Sequence, residues 1–150
     1  MRLKKILFSS ILLISSSVNS IASESKYVLT ELYQEVMVTI NTYCKEDQYF
    51  IPIKRELIMD NLSGLAIGQC YTDEKNYWSI HIDKLFWDTH NEDDRYSTMA
   101  HEMMHCIFFK NHVDNKDNYM YYSLVHITKE EVIEQLTVDL KKECGDKDGK

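Results

Sequence analysis

His101-Glu102-Met103-Met104-His105-Cys106-Ile107-Phe108-Phe109-Lys110-Asn111-His112 is the stretch around which the rest of the chain is read. Two histidines four residues apart on a helix lie about 40° apart around its axis and one turn apart along it. Their imidazoles can converge on one tetrahedral metal ion, and Glu102 between them can reach a water held there. A shuffled chain of this composition shows HExxH roughly two per cent of the time, so the motif needs a partner before it decides anything. His112 is that candidate. On an unbroken helix it would lie about 10 Å along the axis from His105, too far for one zinc ion with nitrogen bonds of about 2.0–2.1 Å. It becomes a third ligand only if the helix ends near Lys110 and the chain folds back. Asn111 suits the reversal, because Asn tolerates the left-handed conformation that closes helices when Gly is absent. The polar run from Asn111 to Asn118 also argues that the helix stops there.

HExxH, a later His and then Tyr119-Met120-Tyr121-Tyr122 resemble the metzincin clan of zinc peptidases. The separation of His112 and Met120 is that of the stretch leading to the Met-turn in matrixins. Small secreted bacterial zincin-like proteins with an HExxHC…H…M pattern are similar as well. The resemblance covers residues from about Ile80 to Tyr122. It implies one catalytic zinc ion, with His101, His105 and His112 as ligands, Glu102 as general base and Met120 as the Met-turn residue beneath the metal. Tyr122 matches the tyrosine that astacins and serralysins place near the zinc, where it would stabilise an oxyanion. The clan pattern is HExxHxxGxxH; here six residues separate the second and third His, and none is Gly. Carboxylates are the rival third ligands. Glu130, Glu131 and Glu134 lie on a later helix, as the third ligand of gluzincins does, and Asp114 follows His112 closely.

The N-terminus reads as an export signal. Arg2, Lys4 and Lys5 form a basic n-region, Ile6 to Ile14 an apolar h-region, and Ser20-Ile21-Ala22 offers a cleavage site. The apolar run is too short to span a bilayer, and no Cys follows it to take a lipid. The expected organisation is a signal peptide over 1–22, one domain over 23–145 and a disordered tail over 146–150, in a secreted or periplasmic protein. Seventeen basic residues less Arg2, Lys4 and Lys5 leave fourteen against twenty-four acids, a net charge of about −10 after cleavage. Such a balance argues against nucleic acid and anionic membrane as partners. A monomer acting on a peptide or protein substrate is the expectation. Cys44, Cys70, Cys106 and Cys144 all lie in the exported part, and an even count there suggests disulfides of open connectivity. A bridge from Cys106 or Cys44 to Cys144 would pin the C-terminal helix.

Outward from the motif, apolar periodicity predicts a helix over 27–44, with Val28, Leu32, Val36, Met37, Ile40 and Cys44 on one face. Pro52 marks a break and Arg55 to Met59 a short strand. Cys70 and Tyr71, then Tyr77 to Ile82 after a turn, read as an antiparallel hairpin with Trp78, Ile80 and Ile82 inward. One of these strands is a candidate cleft wall, since an extended peptide can pair with a sheet edge. Leu85, Phe86 and Trp87 form an apolar cluster before a loop, with His81 and His90 at the surface. Asn91 or Thr89 caps a helix over 92–110, and Thr128 with Glu131 forms a capping box for a last helix ended by Gly145. Val132, Ile133, Leu136, Val138 and Leu140 supply the apolar face of that last helix. The fold class expected is α+β: a zincin-like domain with a small antiparallel or mixed sheet on an N-terminal helix, the HExxH helix and a C-terminal helix. Three functions fit: a zinc metallopeptidase, a non-catalytic zinc- or partner-binding protein with a zincin-like fold, and a metal-free envelope protein.

Overall fold

The apolar face that starts at Leu29 sets the first layer. In the computed structural model, which describes residues 12–73 and 76–145, helix α1 runs Leu12–Tyr43. Leu29, Leu32, Tyr33, Val36 and Ile40 are buried along it, at three- and four-residue steps, while Val28 and Met37 are half-buried. Each fully buried aliphatic side chain contributes about 1.5–3 kcal/mol. The helix begins well upstream of the expected residue 27. Of the expected signal segment, residues 1–11 lie outside the described residues, as does the tail 146–150. No described helix is long and apolar enough to cross a membrane.

After a 3-10 turn over Glu46–Gln48 come strands β1 (Lys54–Asp60), β2 (Gly68–Thr72) and β3 (Tyr77–Asp83). The sheet order is β1-β3-β2, with β3 parallel to β1 and antiparallel to β2. The hairpin expectation therefore holds, and the sheet is mixed. The central position of β3 explains why Ser79 is buried along with Trp78, Ile80 and Ile82, where simple alternation placed it outward. β2 is left as the sheet edge beside the next long helix.

Lys84–Thr89 forms a short helix, α2, rather than a cluster preceding a loop. Asp83 caps it, its Oδ1 accepting from Phe86 N at 2.8 Å. His90 closes it and is half-buried, with its ring 4.3 Å from that of Phe86, so the surface expectation is corrected. Helix α3 spans Glu92–Phe108, with Asn91 Oδ1 accepting from Asp94 N at 2.9 Å and three acids in its first turn. It stops two residues earlier than expected. Helix α4 covers Lys129–Cys144, and the Thr128–Glu131 capping box forms as expected. Val132, Leu136 and Leu140 are buried on it, but Val138 is exposed: it lies about 100° from its neighbours around the axis and off the apolar face.

Two disulfides close the architecture. Cys44–Cys144 joins the C-terminal ends of α1 and α4, and Cys70–Cys106 joins β2 to α3. Disulfides of this kind persist in oxidising compartments. The result is an α+β domain in which α1, α3 and α4 pack together and α3 also packs against β2.

Candidate metal centre

Helix α3 presents His101 and His105 one turn apart, half-buried, while Met99, Met103, Cys106 and Ile107 are buried. Its end brings in His112. The helix closes at Phe109, which adopts the left-handed conformation at φ 52° and ψ 32°. Phe109 N–H donates to Met104 O, and Lys110 N–H donates to the same carbonyl at 3.2 Å. The reversal thus falls at Phe109, not Asn111, because α3 ends before Lys110. The returning segment is then held by Val113 N–H donating to Met120 O at 3.1 Å.

That path puts the three ring nitrogens together. Nε2 of His101 and Nε2 of His105 are 2.9 Å apart, His105 and His112 3.1 Å, and His101 and His112 3.2 Å. A tetrahedral zinc ion with bonds of about 2.0–2.1 Å needs nitrogens about 3.3–3.4 Å apart, so this triangle fits with a small expansion. The tautomers follow from the outer partners. Carbonyl oxygens only accept, so Nδ1–H of His101 donates to Tyr119 O at 2.8 Å and Nδ1–H of His105 to Lys110 O at 2.5 Å. Nε2 of each neutral ring then turns its lone pair into the triangle, as a metal ligand requires. Burial pushes the pKa of His101 down to about 4 and also lowers that of His105, which keeps both rings neutral at pH 7. Among the described residues these three form the group able to hold a metal ion.

Glu102 leaves the helix about 100° around the axis from His101 and about 60° from His105, and is buried against β2. Desolvation pushes its carboxyl up to about 8, offset in part by a hydrogen bond from the Cys70 backbone. Room for it exists because residue 68 is Gly. A Cβ built there would lie 2.7 Å from Glu102 Oε1 and 2.8 Å from its Cγ. Glu102 and the three histidines line one cleft of about 760 Å³. Its walls are Leu65 to Tyr71, leading along β2, and Tyr119 with Tyr121 to Val125 on the far side.

Tyr122 lines the cleft but is 67% exposed, with its ring 4.2 Å from that of Tyr121. Met120 is fully buried in the turn closed by Tyr121 N–H donating to Asn118 O. The rival carboxylates stay away from the triad: Glu131 caps α4, and Glu130, Glu134 and Asp114 are exposed. His126 pairs with Asp94 at 2.9 Å, and His81 sits between Ser79 and Asp60. Sequence reasoning missed Gly68 and the two acceptor carbonyls. An isolated Gly inside a strand pattern signals a close approach and could have flagged the first; main-chain acceptors leave no residue-type signal. No family model, no curated protein and no solved structure matches the chain.

Proposed function

We propose that this chain is a zinc-dependent peptidase of metzincin type, exported and acting on peptide bonds. The observation that carries the reading is the triangle of Nε2 atoms, 2.9–3.2 Å on a side, with the outer nitrogens of His101 and His105 tied to carbonyls. Three imidazoles suit zinc, and structural zinc sites use four protein ligands whereas catalytic ones use three. His101, His105 and His112 would hold the ion, which when bound supplies Lewis-acid polarisation of a carbonyl and acidifies water.

The chain's own residues do the rest. Glu102 takes a proton from the attacking water and hands it to the departing amine. Tyr122 on the cleft wall is the side chain offered to the oxyanion. β2 ends the sheet along the cleft, so its outer edge can pair with an extended substrate backbone. Leu65, Tyr71 and Leu124 give the cleft an apolar lining that suits apolar substrate side chains.

Zinc-loaded protein incubated with a mixed peptide library tests the proposal, with fragments read by mass spectrometry. Cleavage is expected for wild type, and none with a chelator or in Glu102→Gln, which keeps its zinc. Bound zinc without any cleavage would instead mark a non-catalytic zinc protein.

A further inference from the structure

The carbonyls that orient His101 and His105 belong to Tyr119 and Lys110, and the side chains of these two residues end on one carboxylate. Lys110 Nζ lies 2.6 Å from Asp139 Oδ1, and Tyr119 OH donates to Asp139 Oδ2 at 2.8 Å. Tyr119 is fully buried, and Lys110 and Asp139 are each less than one-fifth exposed at the side chain. One turn earlier on α4, Gln135 grips the same loop from both ends of its amide. Tyr119 N–H donates to Gln135 Oε1, and Gln135 Nε2–H donates to Asp117 O, both at 3.0 Å.

We propose that Asp139, assisted by Gln135, is a positioning residue for the metal centre, holding at once the two carbonyls that set the orientation of His101 and His105. The inference rests on the reading of the three histidines as metal ligands. Asp139 touches none of the ligands. It acts through Lys110 and Tyr119, which lie just past the α3 cap and in the turn before Met120, two points of the one segment that joins α3 to α4. Beyond the Val113 N–H to Met120 O hydrogen bond, Asp139 is the side chain that ties these two points together; without it each carbonyl could shift more freely, and the two rings would lose their common focus. A carboxylate suits this place because its two oxygens accept from two donors at once, one of them a cation. Val132, Leu136 and Leu140 pack α4 into the core, so the anchor sits on a rigid element.

The test measures the zinc dissociation constant of folded protein by competition with a chromophoric chelator, and the visible spectrum of the cobalt-substituted form. Wild type is expected to bind one equivalent. Asp139→Ala and Tyr119→Phe should each weaken zinc by about tenfold, the lower end for loss of an outer partner. Their effects should be less than additive, because both remove the same tie. The cobalt band should broaden or shift in both, and Asp139→Asn should recover part of the loss. Lys142→Ala, on the exposed side of α4, should match wild type. A purely structural role for Asp139 would lower the melting temperature of the metal-free protein and leave affinity and spectrum unchanged, which overturns the proposal. Should Asp139→Ala fail to fold, Tyr119→Phe and Asp139→Asn decide it. Failure of wild type to bind zinc overturns the metal reading itself, a result distinct from equal binding by wild type and variants.

Discussion

Gly68 on β2 and Glu102 on α3 occupy one space: a methyl group on residue 68 would stand 2.7 Å from the Glu102 carboxylate. The absence of a side chain on an edge strand is therefore what lets the carboxyl of the motif lie buried beside the three histidines.

Gly68→Ala follows directly. The new Cβ must displace Glu102, while His101, His105 and His112 are untouched. The expectation is a loss of about 10- to 100-fold in kcat, as for other small misplacements of a reacting group, with zinc affinity preserved. Steady-state kinetics beside zinc titration checks it; unchanged kcat would show that Glu102 tolerates the shift.

The raised pKa of Glu102 gives a pH dependence whose sign is opposite to that of a salt-bridged carboxylate. In the unfolded chain the group releases its proton near its ordinary value of 4.5, and in the folded metal-free chain only near 8. Between these values the folded state binds more protons, so stability falls as pH rises through that window. Glu102→Gln removes the penalty. In the presence of a chelator the variant should be more stable than wild type at pH 9, by on the order of 5 kcal/mol, and equal to it near pH 4. Melting curves across that range test this, and a constant difference would contradict the burial of the charge.

Phe109 carries the reversal on a residue type that pays about 1–2 kcal/mol for the left-handed conformation. Phe109→Gly relieves that strain but gives up the ring contact to Phe50 at 5.5 Å, so stability should stay within about 1 kcal/mol of wild type. Phe109→Val combines a β-branched side chain with positive φ. It should cost about 2 kcal/mol relative to Phe109→Gly and weaken zinc, because Lys110 O and His112 both follow this turn. Equal zinc affinity in the two variants would sever the link between turn and site.

The disulfides should separate stability from function. Closing loops of 100 and 36 residues, they contribute about 4.7 and about 4 kcal/mol by chain entropy. Cys44→Ser/Cys144→Ser should destabilise and leave the turnover of the folded fraction intact. Cys70→Ala/Cys106→Ala should lose turnover as well, since that bridge ties the strand seating Glu102 to the helix bearing it. Denaturant unfolding paired with activity per folded molecule distinguishes the two.

Much of the fold was legible because it rests on local signals. The α1 stripe, the Asn91 cap and the Thr128–Glu131 capping box each need only a few neighbouring residues, and each forms. The approach of His112 was readable from the length of an unbroken helix, which ruled out any straight path. What was hidden depends on contacts distant in sequence. α2 was missed because its six residues show too little period and depend on Asp83 for a cap. Phe109 rather than Asn111 takes the left-handed turn because the helix end is fixed by packing, with Phe109 set against Phe50. Residue type alone favoured Asn. Val138 was placed on the wrong face by counting apolar residues without following the 100° step.

X-ray absorption at the zinc edge, on protein loaded with one equivalent and compared with His112→Ala, tests the central claim most directly. Three imidazole nitrogens at about 2.0–2.1 Å are expected in wild type, with one lost in the variant and affinity reduced. An unchanged zinc environment in His112→Ala, or zinc held by carboxylates in place of these rings, would contradict it.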